Sequence, residues 1–97
     1  MSFAPIDQAI AEIADGRAVI VVDDQNRENE GDLIFAAEKV SPELVSFMVR
    51  HCSGIICVPM EADRLETLHL PLMTPDNSES MGTAFTISVD ARTNTTT

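Results

Sequence analysis

Ala18-Val19-Ile20-Val21-Val22-Asp23-Asp24-Gln25-Asn26-Arg27-Glu28-Asn29-Glu30-Gly31-Asp32-Leu33-Ile34-Phe35-Ala36-Ala37 is the stretch that decides how this chain folds. Two apolar runs, 18–22 and 33–37, flank a segment carrying five carboxylates and one arginine. The first run is continuous and mostly β-branched, the pattern of a strand covered on both faces. The second is a shorter strand candidate. If the segment between them were extended, residues two apart would share a face roughly 7 Å from each other. Glu28, Glu30 and Asp32 would then line one side, with Arg27 on the other. Repulsion at that distance is about 0.6 kcal/mol per pair in water and about 2 kcal/mol at the effective dielectric of a half-buried site. Two readings follow. One is a solvated acidic hairpin loop, for which Asp, Asn and Gly are well suited. The other is a site where a cation, a substrate or both offset the charge.

Outward from this stretch, helices and strands alternate. Ile6, Ala9, Ile10 and Ile13 recur at helical spacing over 6–15, and Gly16 stands where a helix would stop. A helix feeding a buried strand predicts α/β layering. Ser41-Pro42-Glu43 has a cap hydroxyl, a proline at the first helical position and an acid in the first turn. The helix it opens is expected to run through Leu44, Val45, Phe47 and Met48 to about Arg50. Residues 54–58 read as a third buried strand closed by Pro59, residues 61–68 as a helix, and residues 70–80 as a loop. From Ala84 to Ala91, Phe85, Ile87 and Val89 alternate with Thr86, Ser88 and Asp90, the pattern of a strand with one buried face. The expected fold class is α/β, a mixed β-sheet flanked by helices. Four strand candidates with three helices leave little to cover such a sheet, so the sequence looks cut off inside a larger domain.

Composition narrows the function classes. The 97 residues allow one domain with a small core. With no Trp or Tyr, that core must be built from Ile, Val, Leu, Met and four Phe. Sixteen acidic residues against six basic ones give a net charge of −10. This argues against binding nucleic acid or an anionic membrane through bulk electrostatics. Cys52 and Cys57, five apart and next to His51, do not form a zinc spacing. They suit a reducing compartment. The N-terminus lacks the basic and apolar regions of a signal peptide, and no apolar run is long enough to span a membrane. A cytoplasmic protein is expected.

Some local residues have ordinary readings beside functional ones. Cys57 could face a site or be a small buried core thiol. Arg50 and His51 suit a helix C-terminus, where cations favour the dipole. Thr83 and Thr86 could bond substrate hydroxyls or be plain strand threonines. A calcium loop of EF-hand type can be tested on spacing. Counted from Asn26, the loop has Gly31 at position 6, but position 12, which must be Glu, falls on Ala37. Counted from Asp24, Asn29 takes the place of the glycine. That reading fails. Carboxylates giving one or two ligands fit Mg²⁺ shared with a phosphorylated substrate better, with Arg27 as the anion-binding counterpart.

Asp23-Asp24 followed by Arg27-Glu28-Asn29-Glu30-Gly31-Asp32-Leu33 resembles the signature loop of the 3,4-dihydroxy-2-butanone 4-phosphate synthase family. Two further blocks agree in order and spacing: Arg50-His51-Cys52-Ser53-Gly54-Ile55-Ile56-Cys57 and Gly82-Thr83-Ala84-Phe85-Thr86-Ile87-Ser88-Val89-Asp90-Ala91. The resemblance covers the chain from Ile6 to Thr97; Cys52 and Met81 depart from it in small ways. It implies conversion of D-ribulose 5-phosphate into 3,4-dihydroxy-2-butanone 4-phosphate and formate with Mg²⁺ or Mn²⁺, by a homodimer whose sites draw on both subunits. It implies Glu28 as metal ligand, Arg27, Glu28 and Asp32 as substrate-binding residues, and Glu30 and Asp32 as catalytic. The family also carries a Gly-His-Thr-Glu segment with a metal-ligating histidine and a later catalytic glutamate. Neither is present, and His51 and His69 stand in other contexts. Residues 1–97 are therefore expected to be the N-terminal half of a single synthase domain, inactive and poorly stable alone. In some members a GTP cyclohydrolase II domain follows. The rival reading is a non-catalytic module that binds a divalent cation or sugar phosphate.

Overall fold

The computed structural model describes residues 2–76 and 82–96. Residues 77–81, which hold the end of the expected loop and Met81, lie outside the described residues. The chain divides into two units, 1–58 and 59–97.

The first unit opens with helix α1, Ile6–Ala14, which packs against strand β1, Val19–Val22. Gly16 ends the helix at φ 81°, a left-handed conformation that costs glycine little and other residues more. Arg17 then folds back. Its Nε and Nη2 donate to the two Glu12 carboxylate oxygens at 2.6 and 2.8 Å, and Nη2 reaches Asp15 at 3.1 Å. Strand β2, Gly31–Ile34, pairs antiparallel with β1 in the register Val19–Ile34, Ile20–Leu33, Val21–Asp32, Val22–Gly31. A 3₁₀ turn at Ala37–Lys39 leads to helix α2, Pro42–His51. Its cap is as the sequence predicts: Ser41 Oγ accepts from the Leu44 amide at 3.2 Å, with Pro42 in the first turn. In the second unit, helix α3, Ala62–Thr67, precedes a chain reversal at His69 (φ 57°). There an isolated bridge joins Leu72 to Thr86.

The fold is α/β, as expected, with an antiparallel sheet of two strands among the described residues. Three expected strands differ. The second begins at Gly31, two residues before the apolar run, and stops at Ile34, three before its end, because its register is set by pairing with β1. Residues 54–58 and 84–91 form no strand beyond the Thr86 bridge. A strand exists only when a neighbour satisfies its amides and carbonyls, and the described residues supply none to these two segments.

Burial explains the same result. Among the described residues no hydrophobic side chain is fully buried. Ile20 is 72% exposed and Ile55 74% exposed, although the sequence places both in buried strands. Phe85, Ile87 and Val89 are likewise uncovered. Cys57 is exposed as well, which corrects its reading as a core thiol on a buried strand.

Local signals therefore carry much of the stability of these elements. Ser41→Ala removes the α2 cap and is expected to cost about 1 kcal/mol. Gly16→Ala forces a side chain into the left-handed region and is expected to cost about 1–2 kcal/mol. Urea midpoints followed by circular dichroism check both; an unchanged midpoint in either variant contradicts the corresponding assignment.

Candidate active site

The acidic segment becomes the tip of the β1–β2 hairpin, and it is not extended. Residues 25–28 turn, and Asn29 adopts φ 52°, a conformation asparagine tolerates better than most residues. The shared face expected for Glu28, Glu30 and Asp32 is thus replaced. Glu28 lies in the turn, Glu30 follows Asn29, and Asp32 sits within β2 opposite Val21. Gly31, at the mouth of the loop, is a close approach: a Cβ there would stand 3.3 Å from Ile20 Cγ2 and 3.4 Å from Val22 Cγ1.

The centre of the turn is Asp23, the first residue after β1. Its Oδ2 accepts the Glu28 amide at 2.8 Å and Arg27 Nη1 at 3.0 Å, and its Oδ1 accepts the Glu30 amide at 2.9 Å. Its own amide donates to the Glu30 carbonyl at 3.3 Å. Asp24 builds the first half of the turn: Oδ1 accepts the Asn26 amide at 2.7 Å, and its carbonyl accepts from Arg27 and Asn29. These are the local side-chain to backbone bonds that make Asp a turn former. Arg27 Nη1 also lies 2.8 Å from Glu28 Oε1. The structure therefore brings Arg27 and Glu28 together on an Asp23 scaffold. Glu30 joins them through its backbone, and Asp32 stands on the adjoining strand.

Asp23 is the residue that sequence reasoning passed over as a participant. The available signal was an aspartate at the exact end of a strand, just before a turn. Arg50 and His51 close α2, as read, and Cys52 caps it. Thr86 Oγ1 donates to the Ile87 carbonyl at 3.0 Å, and Thr83 is half-buried. In the second unit Leu65, His69, Leu72 and Thr86 line an open, largely apolar depression.

As a metal site the loop is partial. Glu28 is a hard carboxylate oxygen donor, half exposed, and its type suits Mg²⁺. Among the described residues, however, no three His, Cys, Asp or Glu side chains converge to hold a metal ion. The described residues of the loop thus offer carboxylate oxygen donors but not a closed coordination set. Mg²⁺ is suited to such a site, since it keeps several waters and takes one or two carboxylates.

Fold and loop together define an α/β protein that presents one guanidinium and a hard oxygen donor at a hairpin tip. The family profile of 3,4-dihydroxy-2-butanone 4-phosphate synthase matches residues 7–97, and the chain belongs to that family. The riboflavin biosynthesis protein RibBA of Rhodococcus erythropolis is 59% identical over 90 residues, 93% of this chain and 21% of its own length. A probable bifunctional riboflavin biosynthesis protein of Oryza sativa, described as chloroplastic, is 59% identical over 97 residues, 18% of its own length. A crystal structure of a 3,4-dihydroxy-2-butanone 4-phosphate synthase in complex with two magnesium ions superposes at TM-score 0.90 with 48% identity, covering 98% of this chain and 44% of that one. The chain thus spans about a fifth of the length of the curated relatives it matches.

The pH behaviour of the loop follows from Asp23. The amides of Glu30 and Glu28, and then the Arg27 guanidinium, hold its carboxyl below the usual aspartate range. A lowered folded value means that its contribution is fully present above the unfolded value of about 3.9. It is lost as pH falls through the folded value. Carbon-13 detected carboxyl titration should therefore show Asp23 protonating below the usual aspartate range, with loop order lost at the same step. Protonation at or above about 3.9 contradicts the hydrogen-bond assignment.

Proposed function

We propose that this chain is the N-terminal half of a single synthase domain that converts D-ribulose 5-phosphate into 3,4-dihydroxy-2-butanone 4-phosphate and formate. The observation that carries the reading is that the family match over residues 7–97 includes the loop that sets Arg27 against Glu28. The half-domain assignment is supported by the 44% coverage of the magnesium-bound synthase and by the uncovered apolar side chains of residues 54–58 and 85–89.

The roles follow from chemistry. Arg27, a planar cation, binds the phosphate of the substrate, with Asp32 fixing a sugar hydroxyl on the adjoining strand. Glu28 would hold Mg²⁺ or Mn²⁺ through its carboxylate oxygens. When bound, such an ion would supply stabilisation of the negative charge that develops when a proton leaves the carbon beside the ketone. Glu30, and secondarily Asp32, move protons during dehydration and the carbon-skeleton shift. The overall reaction needs no external oxidant, since the four-carbon phosphate and formic acid together have the elemental composition of ribulose 5-phosphate. The working enzyme is a cytoplasmic homodimer and a lyase. The relatives named chloroplastic favour an organelle for the plant members.

The test is formate release from ribulose 5-phosphate with Mg²⁺. Residues 1–97 alone are expected to release none. A hybrid in which they replace the matching part of the magnesium-bound synthase is expected to turn over. Arg27→Ala or Glu28→Gln in that hybrid should lower kcat/KM by at least about a hundredfold. An unsubstituted hybrid that binds Mg²⁺ and ribulose 5-phosphate by calorimetry without releasing formate would instead favour the non-catalytic binding module.

A further inference from the structure

Asp23 is the loop carboxylate whose side chain accepts the Glu28 and Glu30 amides, and none of the roles above is assigned to it. We propose that Asp23 is the positioning residue of this site: by accepting the Glu28 and Glu30 amides and the Arg27 guanidinium, its carboxylate fixes where Arg27 and Glu28 present their side chains. The inference rests on the functional reading above for what those side chains then bind.

The argument is geometric. The chain leaves β1 at Val22 and re-enters β2 at Gly31, so residues 23–30 must reverse direction without a ladder of their own. A loop of this length closes readily but does not hold one conformation unless something fixes it. Asp23 supplies three acceptor contacts, at 3.0, 2.8 and 2.9 Å, to residues four, five and seven positions ahead. The two amide bonds go to different carboxylate oxygens, so the carboxylate plane is fixed as well as its position. Hydrogen bonds to an ionised acceptor are shorter and stronger than neutral ones. The Glu28 amide is bonded to Asp23 at the residue whose side chain is the metal donor. Arg27 Nη1 is shared between Asp23 Oδ2 and Glu28 Oε1. Asp23 therefore acts on the anion-binding and the cation-binding residue at once.

Substitutions separate this role from a plain contribution to folding. Asp23→Asn keeps the size and one acceptor oxygen but sets an NH₂ donor against an amide that needs an acceptor. Asp23→Ala removes every contact. In the hybrid enzyme, Asp23→Ala is expected to raise both the KM for ribulose 5-phosphate and the Mg²⁺ concentration at half-maximal rate by roughly tenfold or more. Asp23→Asn should fall between it and the parent. A residue that serves only the fold would lower the amount of active enzyme and leave both constants where they were, and that result overturns the proposal. A second measurement does not depend on the reaction. In nitrogen-15 correlation spectra of the 97-residue chain and of the hybrid, the Glu28 and Glu30 amide protons should lie downfield and move upfield in Asp23→Ala. Unchanged amide shifts sink the positioning role whatever the kinetics show. A hybrid that never releases formate sinks the functional reading while the amide shifts still decide the role of Asp23.

Discussion

Residues 23–30 have to turn the chain between two antiparallel strands while carrying four carboxylates and a single guanidinium. Left to repulsion, such a segment would extend and fray. It turns because one carboxylate is spent inward: Asp23 accepts two backbone amides and the only cation of the loop, and Asp24 accepts a third amide. Two of the negative charges thereby become structural acceptors. The remaining side chains, those of Glu28 and Glu30, are carried outward on a backbone whose hydrogen bonds are already assigned. Everything the site can do depends on this division.

The constraint has a counterpart in the way the apolar residues are left. A two-stranded sheet has no interior strand, so both β1 and β2 are edges with uncovered backbone groups and uncovered side chains. Helix α1 covers part of β1, and Ala9, Ile13 and Leu33 are half-buried, yet Ile6, Ile10 and Ile20 are not. The apolar periodicity of the chain is that of a covered sheet, whereas the described residues cover very little. The hairpin is accordingly rigid where hydrogen bonds fix it and weakly supported where packing would be required. A functional loop can be well formed on such a base because its order is local.

This distinction separates what was legible in the residues from what was not. Helices α1, α2 and α3 lie within a residue or two of where spacing, Gly16 and the Ser41-Pro42 cap place them, because those signals act over one turn. The segments 54–58 and 84–91 carry equally clear strand patterns and form no strands, because a strand needs a partner that the pattern does not provide. In the site, Arg27 and Glu28 were identified from the motif, and the structure brings them to 2.8 Å. Asp23 belongs to the same motif, yet its role is not legible there, since a hydrogen bond to an amide seven residues ahead leaves no trace in spacing.

The α/β class, the helix boundaries, the family and the identity of the charged loop residues are legible in residue order alone. These rest on local propensity, capping and a specific motif, which are written residue by residue. The three-dimensional arrangement adds that the acidic stretch is a folded turn, that Glu28, Glu30 and Asp32 do not share a face, and that Asp23 is its centre. The reason is physical: face and reach depend on where the backbone reverses. That reversal is set by hydrogen bonds between residues far enough apart that no periodicity records them.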